Sequence, residues 1–420
     1  MDELKKLFLG SIIVGVIAGG LVTLYGILCK VLQYFFYGDF ENIENWPIWY
    51  FYLVPTLSIF IVNLLIKYDS SVREYGVAEI AEMIKSGKII LSIKSLILKI
   101  IASTLSIASG FAVGNEGPSA AIGAMVAYQV NRFLKLSKEK VEVLISVGAA
   151  SGISAIFVSP ITGIAFALEN IAYKFFKDFA TFIILGGMIA FSIGIYFLTP
   201  ISFEYASGKL LEWRYILSLF LFIPVISVFI YLYLFLNKRI LEFLREKFSN
   251  SKFDILFFSL IGGFTIGTLL LISPYAVFSG HEVVEFLMNN KLHLPLYLLI
   301  LIIILRIIAS SVSIFSNAVG GIFIALMSIG ALIGYGFAEV LNIFNFNIEP
   351  FYFASIGAAI FIGVNMKLPF TAVVLAVEIT YDYNVVVPVG IGVAFVSHIM
   401  SYHFNIRKFM LFTREKNENS

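Results

Sequence analysis

Long apolar runs recur along the whole chain, and no other feature limits its fold so tightly. Residues 7–28, 48–66, 89–113, 215–236, 255–272 and 294–315 each hold some 18 or more mostly apolar residues. A helix of about 17–25 such residues crosses the hydrocarbon of a bilayer. Only helices or closed barrels do so, because lipid offers no partner to a bare backbone amide. Charged residues make up 13% of the 420-residue chain, against roughly 25% in a soluble globule. The sequence therefore predicts an all-α polytopic membrane protein. Segment 7–28 lacks a small-residue cleavage site and is too long for a signal peptide, so it counts as structure.

The charges cluster between these runs, in 67–76, 132–140, 237–252 and 407–416. Such clusters read as solvated loops. The positive-inside rule places them, with both termini, on the cytoplasmic side of a cell membrane. A formal net charge of +2 and no basic patch with exposed aromatics give no nucleic-acid partner. The single cysteine, Cys29, excludes an internal disulfide and a multi-Cys metal site. His281 is expected in a loop, no histidine falls in a predicted span, and no two share metal-ligand spacing. No metal or cofactor is expected.

The two halves of the chain resemble each other. SVGAASGISAIFVSPITGIAFALE (146–169) aligns without gaps on SIGAAIFIGVNMKLPFTAVVLAVE (355–378), at a constant offset of 209. Ser, Gly, Ala, Ala, Pro, Thr, Ala and Glu coincide. AIGAMVAY (121–128) matches SIGALIGY (328–335) at an offset of 207. At that offset Gly114 falls on Gly321, Glu116 on Phe323 and Pro118 on Ala325. We expect one transmembrane domain over 1–420, with inverted-topology repeats at about 8–200 and 214–402 and a short cytoplasmic tail at 403–420. Segments 119–131, 161–172 and 370–380 are short and interrupted by Gly or Pro, so re-entrant or steeply tilted helices are expected. Irregular backbone at membrane depth belongs beside a cavity or inside protein. A pair of such segments in corresponding positions of two repeats points to a transport site between them.

That pair is GNEGP (114–118) and VGGIFIA (319–325). Gly114 and Gly117 free the backbone, and Pro118 is expected to start a helix. A helix that begins inside the membrane presents unpaired N–H groups and the positive end of its dipole. Such an end binds an anion without a fixed cation, and neither segment contains Lys or Arg. Modest attraction shared among amides lets an anion leave as well as enter. Glu116 is itself an anion at such a mouth: ionised, it competes for the site; protonated, it swings away. An intramembrane carboxylate is functional by default. The bland alternative is a glutamate that only caps its own helix.

These residues resemble the CLC family of chloride channels and proton-coupled anion antiporters. GNEGP looks like that family's G-(K/R)-E-G-P motif, FSNAVGGIFIA (315–325) its G-x-F-x-P segment, and REYGVAEI (73–80) its G-S-G-I-P-E-I signature. SPITGIAFALE and LPFTAVVLAVEIT are similar to two further family helices. The resemblance runs in order from about residue 8 to 402. It implies a homodimer in the lipid bilayer, with an anion pathway in each protomer. It implies chloride or another small anion and protons as the transported species. Glu116 would be the gating glutamate, and Ile322 and Phe323 would offer amides to the central anion. Tyr75, Gly76, Asn115 and Gly117 would line the anion's path, with Gly114, Pro118, Gly320, Gly321 and Ala325 shaping the helix mouths.

The chain departs from the family pattern in places. The anion-coordinating serine is Tyr75, and two motif prolines are Ala78 and Ala325. The cation before the gating glutamate is Asn115, which removes positive charge from the outer vestibule; Arg73 or Lys367 would have to supply it. The family's inner proton-transfer glutamate is Asn170, and its partner is Ala81. Asn does not titrate, which leaves Glu169 or Glu82, or water, as an inner proton route. Glu169 recurs as Glu378 in the second repeat, which favours a structural role for it. The family's central-gate tyrosine has no clear match; Arg407 or a neighbour aligns there, and if it faces the inner vestibule it would attract anions. Proton-coupled exchange is the leading expectation, with a passive channel or a fluoride-selective exchanger as alternatives. A cation-coupled carrier of organic solutes would need Asp or Asn beside unwound helices in the spans, and few occur. An enzyme is not expected: a hydrolase built on Ser154 would lack a histidine within a span.

Overall fold

The computed structural model describes residues 3–39, 43, 46–73, 77–86, 92–171, 176–203, 212–248, 254–288 and 294–403. Among them sixteen α-helices form, eight in each half of the chain. The first half holds α1 (Glu3–Tyr37), α2 (Ile48–Tyr68), α3 (Val77–Ser86), α4 (Ile93–Ala108), α5 (Glu116–Leu134), α6 (Lys138–Phe157), α7 (Pro160–Asn170) and α8 (Phe176–Gly194). The second holds α9 (Trp213–Phe248), α10 (Asp254–Ile272), α11 (His281–Met288), α12 (Leu296–Phe315), α13 (Phe323–Ile343), α14 (Pro350–Asn365), α15 (Pro369–Thr380) and α16 (Val386–His403). Eight helical segments among the described residues are long and apolar enough to cross a membrane. The chain is a multi-pass membrane protein.

Several sequence expectations need correction. The cluster 237–252 is not wholly a loop, because its residues through Phe248 continue α9. His281 is not in a loop either: it opens α11 and lies 3.8 Å from Glu285 one turn on. His398 does fall within a span-length segment, Tyr383–Tyr402. The short segment around 119–131 is part of the 19-residue α5. Glu3, at the start of α1, accepts hydrogen bonds from Ser137 N–H (3.1 Å) and Oγ (2.8 Å). The N-terminal helix therefore begins at the same end of the molecule as the 132–140 cluster.

The halves meet through contacts that repeat themselves with partners exchanged. Gly114 N–H donates to Gly321 O at 2.6 Å, and Gly321 N–H donates to Gly114 O at 2.7 Å, an antiparallel bridge between repeat-equivalent residues. Two equivalent residues that bond reciprocally lie on a local two-fold axis. Around it, Ala112 N–H donates to Ser313 Oγ (2.9 Å) and Val319 N–H to Ser106 Oγ (3.0 Å), again equivalents with roles swapped. Each hydroxyl bonds back to its own helix, at Ala309 O and Ala102 O. Buried backbone donors need acceptors, and here each repeat supplies the other's.

Small residues bring the helices close. A side chain at Gly123 of α5 would run into the Gly148 carbonyl of α6, and one at Gly148 into the Gly123 carbonyl. The same exchange joins Gly330 of α13 and Gly357 of α14. Such small-residue crossings are how membrane helices gain packing where lipid gives no hydrophobic drive. Two buried cations are also equivalents. Lys99 of α4 donates to Val72 O at 3.2 Å, and Arg306 of α12 donates to the carbonyls of Tyr275 (2.9 Å), Val277 (3.0 Å) and Ser279 (3.2 Å). They pin the turns that lead to α3 and α11.

Candidate functional site

Helix α5 begins at Glu116, two residues before Pro118, with Asn115 at the N-cap position and making no side-chain cap. Glu116 thus sits in the first turn of its helix rather than ahead of it. Its backbone is there because Gly114 is locked to Gly321, which brings the first turn of α13 alongside. Glu116 is 2% exposed. Its side chain folds back over Gly114 and its own backbone N–H, and Oε1 accepts a hydrogen bond from Ile324 N–H, in the first turn of α13, at 3.0 Å. The carboxylate therefore occupies the mouth of the opposite helix, which has no intrahelical acceptor for its leading amides.

The seat is made of absent side chains. A Cβ at Gly114 would strike both carboxylate oxygens of Glu116, and one at Gly321 would strike Oε2. A Cβ at Gly320 would come within 2.7 Å of Gly114 O. Gly117 faces Gly321, whose nitrogen stands 3.8 Å from the Cβ that Gly117 lacks. Ile322 is the N-cap residue of α13 and Phe323 its first helical residue. The Phe323 ring is packed against Phe157 (4.7 Å) and Phe166 (5.7 Å), so it holds the helix start in place from beneath. Ala325, where the family carries proline, is buried in the same turn. Glu116 Oε2 and Asn115 Oδ1 are buried without a hydrogen-bond partner among the described residues. Unpaired buried acceptors beside helix N-termini mark a place where a proton, water or ligand contributes the missing bond.

Tyr75, Gly76 and Arg407 lie outside the described residues. Arg73 lies in an exposed turn and Lys367 in the loop between α14 and α15, with φ of 58°. Glu169 does not join Glu116. Its carboxylate accepts bonds from Phe370 N–H (3.1 Å), Thr371 N–H (2.8 Å) and Thr371 Oγ1 (2.7 Å), and so caps α15. Its equivalent Glu378 caps α7 through Ile161 N–H (2.9 Å), Thr162 N–H and Ser159 Oγ. Asn170, the last residue of α7, is half-buried. Charge-assisted bonds of this kind contribute about 1.5–3 kcal/mol each. Glu378→Ala is expected to destabilise the protein by about 2–4 kcal/mol, and Glu169→Ala by a similar amount, read as lowered thermal unfolding in detergent. Unfolding unchanged in both would mean the caps are idle.

The residue that sequence reading missed is Ile324. Its neighbours Ile322 and Phe323 carried the motif, whereas the amide that reaches Glu116 is one position further into the turn. No side-chain pattern signals a backbone donor. The Ser106 and Ser313 acceptors were missed likewise, although their spacing of 207 matches the repeat.

The profile of the voltage gated chloride channel family matches residues 57–401. The chain is 27% identical over 354 residues to the H(+)/Cl(-) exchange transporter ClcA of Klebsiella pneumoniae subsp. pneumoniae, covering 82% of this chain and 73% of that protein. Two solved structures are similar in fold. A slow cyanobacterial Cl-/H+ antiporter superposes with a TM-score of 0.83 at 21% identity, over 94% of each chain. A CLC-type fluoride/proton antiporter does so with a TM-score of 0.79 at 19% identity, over 94% of this chain and 95% of that one.

Proposed function

The chain belongs to the voltage gated chloride channel family, and from that premise we propose that it exchanges small inorganic anions, chloride foremost, for protons. It is a transporter rather than an enzyme. The observation that carries this reading is the Glu116 carboxylate bonded to the first turn of α13 (Ile324 N–H, 3.0 Å). A carboxylate held by helix-mouth amides is a tethered stand-in for a mobile anion. Protonation removes its charge and with it most of its hold on those amides. The side chain then leaves, and an anion takes the amides of Ile322, Phe323 and Ile324. When the anion moves on, Glu116 returns, loses its proton and closes the path. One titratable group thereby ties proton movement to anion movement.

Selectivity follows from what the seat lacks. With Asn115 before Glu116, no cation adjoins the outer mouth, so attraction rests on amides and shape. Fluoride is the second substrate that such a seat admits. Asn170 does not titrate and Glu169 is engaged by α15, which leaves Glu82, exposed on α3, or water to bring protons toward Glu116. The protein works as a homodimer in a cell membrane, both termini cytoplasmic, as the resemblance implies.

Reconstituted protein loaded with potassium chloride or potassium fluoride tests the substrate. Valinomycin-triggered efflux, followed with an anion-selective electrode, is expected for chloride above empty vesicles. Fluoride efflux alone would move the assignment to fluoride. No efflux of either would overturn it.

A further inference from the structure

A cavity of about 500 Å³ opens between the start of α4 and the end of α5, lined by Ser92, Ile93, Lys94, Tyr128, Gln129 and Arg132. None of its work is assigned by the anion pathway. Its chemistry is that of a phosphate site. Two cations of different type face it, Lys94 and Arg132, and no carboxylate lines it. Ser92 is the N-cap residue of α4 and makes no side-chain cap, so the first amides of that helix are left for a ligand. Tyr128 adds a neutral donor, and Gln129 Oε1 accepts from Arg132 Nη1 at 3.3 Å while its Nε2 lies 3.7 Å from Met125 Sδ. Asp69 bears on Lys94 and accepts hydrogen bonds from Ser71 N–H (3.1 Å) and Ser95 Oγ (3.0 Å), but it does not line the cavity.

What adjoins the cavity says which phosphate it takes. Below it, Ile93, Ile97 and Ile101 are 50%, 53% and 44% exposed, one above another on the outer face of α4. At helical rise this stripe runs about 12 Å, a length suited to the upper part of an acyl chain. Phe133, 87% exposed, stands beside Arg132. Lys94 Nζ lies 4.2 Å from the centre of the exposed Tyr68 ring, the kind of aromatic that marks a headgroup boundary. A free phosphate would have no use for the stripe.

We propose that this cavity is a binding site for the headgroup of an anionic phospholipid, with an acyl chain along Ile93, Ile97 and Ile101. The bound lipid ties together the far ends of two helices whose near ends form the site: α4 leads into Gly114, and α5 begins at Glu116. It therefore sets how fast Glu116 leaves and regains its seat.

Lipid retention tests this without relying on transport. Protein purified with phosphatidylglycerol is washed in delipidating detergent, and bound phospholipid is counted by native mass spectrometry. With each interfacial charge contributing as basic residues do near anionic lipid, the double variant Lys94→Gln, Arg132→Gln is expected to retain phosphatidylglycerol roughly thirtyfold less well. Lys238→Gln, Arg239→Gln removes the same charge from the C-terminal third of α9 and is expected to retain it like the native protein. Equal retention by all three, or equal loss in both double variants, would overturn the proposal. So would protection against thermal unfolding by inorganic phosphate that phosphatidylglycerol does not give. In flux, adding phosphatidylglycerol to phosphatidylcholine vesicles should accelerate the native protein and leave Lys94→Gln, Arg132→Gln unmoved.

Discussion

Glu116→Gln is expected to abolish proton coupling while leaving anion movement in place. Glutamine keeps the shape of the side chain and an oxygen that accepts from Ile324 N–H. It carries no charge at any pH, so it neither takes up nor releases a proton. A neutral bond to the amide is weaker than a charged one by about 1–2 kcal/mol, which empties the seat about five- to thirtyfold more often. In the native protein, acid favours protonated Glu116, so anion flux rises as pH falls. In the variant the flux at pH 5 and pH 7 should agree, and proton flux should fall to that of empty vesicles. Flux measured at both pH values in reconstituted vesicles checks this. A variant that keeps the native pH dependence would mean that Glu116 is not the gate.

The second large effect separates gate from scaffold with one kind of substitution. Gly321→Ala places a methyl group where Glu116 Oε2 lies. That oxygen is the far end of a rotatable side chain, and the nearest backbone atom, the Gly117 nitrogen, is 3.3 Å away. The carboxylate can leave while the helices stay, so unfolding should shift by less than about 1 kcal/mol. The pH dependence of flux should nevertheless be lost. Gly334→Ala instead drives a methyl into the Phe353 carbonyl, part of the α13–α14 crossing. Backbone cannot yield as a side chain does, and overpacking there costs about 1–3 kcal/mol or more. Gly334→Ala should therefore melt earliest while any protein that remains folded keeps the native pH profile. If Gly321→Ala also collapses the fold, its role is packing and the seat is incidental.

Much of this arrangement was legible in the sequence because membrane solvation and internal repetition both leave patterns. The spans at 48–66, 255–272 and 294–315 nearly coincide with α2, α10 and α12, since apolar length alone decides such helices. The offset of 207 put Gly114 on Gly321, and the structure bonds those two residues to each other. Where reading failed, the signal was backbone or context. The start of α5 was set at Pro118, as proline favours a first helical turn, but the bridge at Gly114 starts the helix at Glu116. The helical extension of α9 through Phe248 hid in a run of charges, which propensity permits and hydropathy does not reveal. Lys99 and Arg306 stand inside the apolar runs 89–113 and 294–315, where the sequence alone gives them no partner. Their role is to hold carbonyls of distant turns, and only tertiary structure supplies those partners.

The central claim is that an anion and the Glu116 carboxylate alternate on one seat, so that each anion's passage moves a proton. The direct measurement is external pH recorded while a chloride gradient is imposed across vesicles containing the native protein, with no pH gradient at the start. The account predicts protons moving uphill, against the chloride flow and in fixed ratio to it, and no such movement with Glu116→Gln. Chloride flux with no uphill proton movement in the native protein would contradict it.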